Sequence, residues 1–249
     1  MISALLNRRI WLWKNRLVPS LFLLLLLPII TFAMISLPFK NIIRFSLAGI
    51  PYDIWVFPGI LFVISSLILF PLIYREYFEL RIHRKVLINL TLTPHSKATF
   101  IFSSLIVSIL EAFVAIIFST LVYTSFIPIP INLFNMLFLV FCLVLYNLLL
   151  GNLFISLSLV IDTLTTMLLA TFILFLIVLF GNGFLIEFSF FPLGFDLLMK
   201  LSPLAIPFQI YQKFNSTGII DHISISISIA LAYIWVLLNS HILKIKLRQ

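Results

Sequence analysis

Long apolar runs alternate with short polar segments along the whole chain. Each run has about the 20 residues that an α-helix needs to cross a bilayer. The pattern predicts six membrane-spanning helices, at about residues 17–37, 53–74, 97–123, 132–159, 163–184 and 218–243. The last run begins with ISISISIA, which alternates as a strand does, but the run is too long for a strand of a membrane barrel. We therefore predict an all-α polytopic membrane protein.

The segment before the first run, residues 2–16, predicts an amphipathic helix that lies flat at the membrane surface. Its apolar face consists of positions spaced by three and four: Ile2, Leu5, Leu6, Ile10, Trp13 and Leu17. Arg8 and Lys14 fall on the opposite side, and Arg9 flanks them. Basic residues before an apolar run are also typical of a signal peptide, but this run exceeds the roughly 7–15 residues of a signal core. We interpret it as a retained first span.

The only long charged run separates the second and third predicted spans, at residues 75–97. Apolar residues recur in it every four positions: Phe78, Ile82, Val86 and Leu90. This spacing predicts an amphipathic helix that Pro94 ends, with Ser96 as the cap of the next helix. Such a helix could contact a cytosolic protein. A solvated loop whose charges only orient the chain is the equally weighted alternative.

Prolines and an acidic residue predict further local features. Three prolines interrupt residues 187–215, at positions 192, 203 and 207, so this segment predicts short helices partly embedded in the outer leaflet rather than a span. Pro58 and Pro71 predict bends in the second span. Asp162 is placed to cap the fifth span.

Composition excludes a water-soluble fold, because 63% of the residues are hydrophobic and 10% are charged, against about 25% charged in soluble domains. The net charge of +8 does not predict a nucleic-acid partner, since the basic residues lie beside apolar runs, where they meet lipid headgroups. Twelve of the 16 basic residues fall on the side of the two termini and the 75–97 loop. The positive-inside rule therefore places these segments in the cytosol.

The residue set for catalysis or cofactor binding is missing. No glycine-rich phosphate loop is followed by a lysine, and His83, His95, His222 and His241 lack metal-ligand spacing. The single cysteine, Cys142, excludes an intrachain disulfide and a cysteine-based metal cluster. We therefore predict no enzyme activity, no metal site and no cofactor bound by this chain itself.

Glu111 lies near the middle of the third predicted span, where an acid costs roughly 2.5–3.5 kcal/mol on insertion scales. It belongs to a stripe of small and polar residues at helical spacing: Ser104, Ser108, Glu111, Ala115 and Ser119. The other side should face lipid, with Phe102, Ile106, Ile109, Phe113 and Ile117. The stripe, and Asn147 in the fourth span, fit either close helix packing or the lining of a transport pathway. Because no basic residue lies near the centre of a span, we expect Glu111 to be largely protonated unless it faces a water-filled cavity. Once protonated, it could donate a hydrogen bond to Asn147, Tyr146 or a serine.

Several segments, taken in order, resemble the membrane subunits of type-2 ATP-binding-cassette (ABC) exporters. YDIWVFPGI, at 52–60, resembles the Pro-Gly entry to the second helix, and LINLTLTPHS, at 87–96, resembles a leucine-rich segment that ends in Thr-Pro. Phe191-Pro192 and Leu201-Ser202-Pro203-Leu204 resemble the outer-face segment after the fifth helix. The resemblance covers nearly the whole chain, but His83-Arg84-Lys85 stands where the family often has a Gly-Thr step.

The resemblance implies one transmembrane domain over residues 1–249, in a bacterial cytoplasmic membrane. Two permease copies, identical or closely related, would dock on two cytosolic ABC ATPase subunits, which bind ATP and Mg²⁺. A coupling helix would contact the ATPase through six residues: Arg84, Lys85, Leu87, Leu90, Thr93 and Pro94. An apolar or amphipathic substrate (a lipid, a lipid-linked glycan or a drug) would pass between the permeases, which contact membrane lipid.

The alternative class is a self-contained channel or ion-coupled carrier with Glu111 as the intramembrane site. Such a protein needs more intramembrane polar groups, or broken helices in matching halves. The sequence contains neither. A membrane scaffold without transport activity is the third hypothesis.

Overall fold

The computed structural model describes residues 1–15, 17–46, 49–83, 85, 87, 96–128, 132–192 and 194–246. These residues form α-helices joined by short connections, and no β-strand occurs among them. The helices are α1 (Ile2–Asn15), α2 (Leu17–Thr31), α3 (Tyr52–Ile73), α4 (Lys97–Phe126), α5 (Leu133–Val160), α6 (Leu164–Leu176), α7 (Phe195–Lys200), α8 (Ile206–Thr217) and α9 (His222–Lys246).

Three of the helices are lengthened by π turns: α2 by Phe32–Ser36, α3 by Tyr74–Glu79 and α6 by Ile177–Gly181. Short α-helical segments follow the first two turns, Leu37–Ile42 after α2 and Leu80–Ile82 after α3. With these extensions, α2 to α6 and α9 are the six helices of the described residues that are long and apolar enough to cross a membrane. The predicted all-α fold with six long apolar helices is confirmed. The surface position of α1 and the side on which the termini lie stay predictions.

The core is built around the contact between α3 and α5, where both helices are deeply buried. Ser65 Oγ on α3 donates to Asn147 Oδ1 at 2.6 Å, and the hydroxyls of Ser66 and Tyr146 are also 2.6 Å apart. Small and hydroxyl-bearing residues allow helices to approach closely in a membrane, where polar side chains otherwise lack partners. Beside these bonds, aromatic rings pack together: Phe62, Tyr146, Phe184 and Phe208.

A second polar network joins α5 to α9. Asn239 Nδ2 donates to the backbone oxygen of Asn152 at 2.9 Å and to its side-chain Oδ1 at 3.1 Å. Ser156 Oγ donates to Asn239 Oδ1 at 2.7 Å and accepts from Trp235 Nε1 at 2.9 Å. Because Asn152 and Asn239 are buried, each needs a partner inside the bundle. The network that they form with Ser156 and Trp235 fixes the register of α9 on α5.

The connection between α6 and α9 contains the short 3₁₀ turn Phe188–Phe190 followed by α7 and α8. It packs on the start of α3, where Tyr52 Oη donates to the backbone oxygen of Leu185 at 2.9 Å. A Cβ atom on Gly59 would lie 2.0 Å from the backbone oxygen of Phe184, so only glycine permits this approach. The position of α7 and α8 relative to the outer leaflet stays a prediction.

Several predicted details of the helix ends are changed. The second span was expected to end at Tyr74, but it continues in helical form to Ile82, through a π turn that begins at Tyr74. The helix is continuous through Pro58 and Pro71, and the bends expected there stay predictions. Ser96 caps α4 as predicted, since its Oγ accepts from the Thr99 N–H at 3.1 Å. The expectation that Asp162 caps α6 is wrong: Thr163 is the N-cap residue.

Candidate functional site

Arg9 turns towards the bundle although the sequence predicted it at the border of α1. It is 6% exposed, while its neighbours Ile10 and Trp11 are 51% and 62% exposed. Two carboxylates from other helices explain this orientation, because a buried guanidinium is stable only with charged partners. We call the group that surrounds it the Arg9 cluster, which comprises Arg8, Arg9, Trp13, Glu76 and Glu111.

One guanidinium bridges two helices at the centre of the Arg9 cluster. Arg9 Nη2 lies 3.3 Å from Glu76 Oε1 on the α3 extension, and Arg9 Nη1 lies 3.3 Å from Glu111 Oε2 on α4. Arg8 Nη1 bonds the second Glu76 oxygen at 3.1 Å. Trp13 Nε1 donates to Glu111 Oε1 at 2.5 Å. The planar fork of arginine suits this two-sided contact, and the cluster ties α1 to α3 and α4.

The expectation that Glu111 lacks a basic partner is wrong. Its partners come from α1, and the residues proposed for it are engaged elsewhere, Asn147 with Ser65 and Tyr146 with Ser66. The shared contact with Arg9 brings the Glu111 carboxylate of α4 together with the Glu76 carboxylate of the α3 extension.

The stripe predicted on α4 is buried apart from the partly exposed Glu111. Ser104 Oγ pairs with Tyr77 Oη at 2.7 Å, and Ser119 Oγ donates to the backbone oxygen of Ala115. Ser108 Oγ is buried with no hydrogen-bond partner among the described residues. Ile109 was expected to face lipid, but it is buried. These contacts favour helix packing for Ser104, and the Ser65 bond does so for Asn147.

Glu111 also lies on the wall of a cavity of about 900 Å³ between α1, α2 and the α3 extension. We call it the α2–α3 cavity. Its charged end is lined by Arg8, Arg75, Glu79 and Glu111. Its remaining wall is almost entirely apolar and includes Leu23, Leu27, Ile30, Leu67, Ile68 and Leu72. The cavity therefore has one charged end, and the rest of its wall is apolar.

A second set of charges joins three helix ends on the same face as the Arg9 cluster. Arg81 Nη1 lies 2.5 Å from Asp162 Oδ1 in the turn between α5 and α6, and Arg81 Nη2 donates to the backbone oxygen of Ile161. Lys246 Nζ, at the end of α9, lies 3.2 Å from Asp162 Oδ2. The hydrogen bond from Arg81, with the charge of Lys246, holds the pKa of Asp162 below its ordinary value.

A comparison with known protein families identifies the chain. The family model described as ABC-2 type transporter matches residues 2–214. The chain belongs to the ABC-2 type transporter family. The match begins in α1 and ends in α8, so it includes the Arg9 cluster and the α2–α3 cavity. No curated protein and no solved structure matches the chain.

Family membership makes the chain an integral membrane protein and the permease part of an ABC transporter. ABC-2 membrane domains are transport components that act with a partner ATPase subunit. The resemblance inferred from the Pro-Gly entry, the Thr-Pro segment and the outer-face segment is thereby confirmed.

The segment predicted to couple this ABC-2 permease to its ATPase is described only in part, because Arg84, Leu90, Thr93 and Pro94 lie outside the described residues. The prediction of one amphipathic helix through residues 78–90 is wrong at Lys85. Lys85 is exposed and has a φ of 52°, which is the left-handed region and incompatible with a continuing α-helix. Leu87 is 1% exposed, so it packs on the protein and is not free on the surface.

Sequence reasoning missed Arg9, Trp13, Arg75 and Glu76 as site residues. One clue was available: an acid in an apolar helix requires a cation or a hydrogen-bond donor. The basic residues of the N-terminal segment were assigned to lipid headgroups instead, because nothing in the local pattern shows that this segment packs on α4.

Proposed function

We propose that the chain is the permease subunit of an ABC exporter that moves an apolar or amphipathic substrate: a lipid, a lipid-linked glycan or a drug. A separate cytosolic ATPase binds ATP and Mg²⁺ and drives the transport. The match to the ABC-2 type transporter family over residues 2–214 carries this proposal. The permease works as a dimer, of two copies or of close paralogues, in a bacterial cytoplasmic membrane.

The contacts at the charged face support a path for the ATPase signal. The segment that joins the α3 extension to α4 is the proposed docking element, with Leu87 packed against the protein. A shift of this segment acts directly on the α3 extension, which Arg9 joins to α1 and α4. ATP-driven closure of the ATPase subunits would therefore move three helices of each permease together.

The test is purification of the tagged chain after mild crosslinking in its native host. We expect a partner that contains a phosphate-binding loop and hydrolyses ATP, whereas the purified chain alone shows no ATP turnover. In reconstituted vesicles, transport should require both ATP and this partner. ATP turnover by the isolated chain, or transport that follows an ion gradient without ATP, would contradict the proposal.

The carrier hypothesis gains no support from the site. Its intramembrane group would be Glu111, but Arg9 and Trp13 already contact both carboxylate oxygens. An ion or proton site needs a carboxylate that can exchange its ligand. We therefore propose the ABC exporter alone.

A further inference from the structure

Arg75, which is half-buried, keeps two hydrogen-bond donors unused. Its Nε and Nη2 atoms are buried and have no hydrogen-bond partner among the described residues. A guanidinium is always protonated and donates five hydrogen bonds. A buried donor without an acceptor is unfavourable, so an anion that met these donors would be stabilised.

The surroundings of Arg75 show what kind of anion fits. It lines the charged end of the α2–α3 cavity, and the walls beyond it carry the side chains of leucine and isoleucine. The cavity volume of about 900 Å³ lies at the upper end of the range for small-molecule sites. A ligand that fills it must join an anionic group to a long apolar part.

The other charges at this end already have partners. Arg8 pairs with Glu76, Glu111 contacts Arg9 and Trp13, and Glu79 is also engaged. Arg75 is therefore the cation at this end with unused buried donors for such a ligand. On the open side, Leu23 of α2 is 62% exposed, so the apolar end of the cavity reaches the outer surface of the bundle, where lipid lies in a membrane protein.

We propose that the α2–α3 cavity binds a membrane phospholipid, with its phosphate held by Arg75 and an acyl chain laid along the leucines of α2 and α3. Arginine binds phosphate through paired, charge-assisted hydrogen bonds. The apolar wall of the cavity offers the acyl chain a surface like the one it leaves in the leaflet, so the phosphate contact decides the preference. The site takes lipid from the leaflet on the side of the N-terminus, and it does not depend on which substrate the permease exports.

Trp13 provides the measurement, because it lines the same cavity. A variant with Trp11, Trp55 and Trp235 replaced by phenylalanine keeps Trp13 as its only tryptophan. This protein, in maltoside micelles that contain no phosphate, is titrated with phosphatidylglycerol brominated on the acyl chain near the glycerol, and quenching of Trp13 fluorescence is followed. Brominated diacylglycerol, which lacks phosphate, and inorganic phosphate are titrated as the two comparison ligands.

We expect phosphatidylglycerol to quench Trp13 at roughly tenfold lower concentration than diacylglycerol, the effect of one charge-assisted hydrogen bond. Arg75→Gln should remove this preference for phosphatidylglycerol. Lys14→Gln, which removes an exposed charge from the same face of the protein, should keep it. Arg75→Lys retains the charge and should retain part of the preference, which covers the case in which Arg75→Gln does not fold.

Three results would overturn the proposal. The first is equal quenching by phosphatidylglycerol and diacylglycerol in the protein with Arg75 intact. The second is an unchanged phospholipid preference in folded Arg75→Gln. The third is displacement of the brominated phospholipid by inorganic phosphate at the same concentration, which would assign the site to the free anion and not to lipid.

Discussion

At the scale of single residues, Arg9 has the largest effect that we expect. Arg9→Gln removes the cation that separates Glu76 from Glu111, which leaves Glu76 with Arg8 alone and Glu111 with only the Trp13 N–H in a buried site. Breaking a buried ion pair by removing one partner costs about 3–5 kcal/mol. We expect a marked loss of folded protein and a lower midpoint of thermal unfolding. Unfolding is measured by the reaction of a maleimide dye with the thiol of Cys142, which is buried in the folded protein.

The matched variants separate the charge effect from simple loss of a side chain. Glu111→Gln keeps an oxygen that accepts from Trp13 and should be much milder than Glu111→Leu, which leaves the Trp13 N–H without a partner. The double variant Arg9→Gln/Glu111→Gln should recover part of the loss. Equal unfolding midpoints for Arg9→Gln and Lys14→Gln would refute a structural role for the cluster.

Lys85 leads to a second prediction for one position. Its left-handed backbone costs a residue other than glycine roughly 1–2 kcal/mol. Glycine would relieve that strain but has more freedom to lose on folding, about 0.5–1 kcal/mol. We expect Lys85→Gly to be neutral or to raise stability by about 1 kcal/mol, measured by the same thermal assay.

Lys85→Ala is the control, since it removes the same side chain without relieving the backbone. It should be no more stable than the unaltered protein, and a gain equal to that of glycine would assign the effect to the lost charge.

At the scale of helices, the close approach of α3 to the connection between α6 and α9 depends on Gly59. Gly59→Ala places a Cβ atom against backbone that does not rotate away, so we expect a loss of about 1–3 kcal/mol, as for other overpacked cores. Gly151→Ala is the comparison, because its Cβ atom would meet the movable end of the Leu105 side chain. Comparable unfolding midpoints for the two variants would contradict this difference.

The sequence predicts the helices better than it predicts their contacts. Runs of apolar residues have a strong length signal, and all six long helices were located, with Ser96 as a correct cap. The end of α3 was missed because charged residues from Arg75 onward resemble a loop, although Glu76 is held inside by Arg8 and Arg9. Contacts between segments that are distant in sequence produce no periodic pattern, so the Arg9 cluster could not be predicted from local patterns.

At the scale of the whole molecule, the distribution of basic residues predicts the orientation in the membrane. Single cysteines at Ser3 and Ser96, with Cys142 replaced, should resist a membrane-impermeant thiol reagent in intact cells. A cysteine at Ser216, an exposed position on α8, should react. All three positions are exposed, so access to the reagent and not burial decides the outcome.

Permeabilised cells supply the control for this labelling, since all three cysteines should then react. Labelling of Ser96→Cys from outside intact cells would invert the proposed orientation and separate the 75–97 loop from any cytosolic ATPase. The same result would leave the fold and the family unaffected.

The length of α3 has a mechanical consequence. From Tyr52 to Ile82 it comprises 31 residues, or about 46 Å at 1.5 Å per residue, while the hydrocarbon layer is about 30 Å thick. Gly59, where the backbone of Phe184 contacts the helix, lies far closer to the Tyr52 end than to the Ile82 end. A pivot at that contact makes α3 a lever with a long arm towards Ile82, so a large displacement near Arg81 becomes a small but forceful movement at Tyr52.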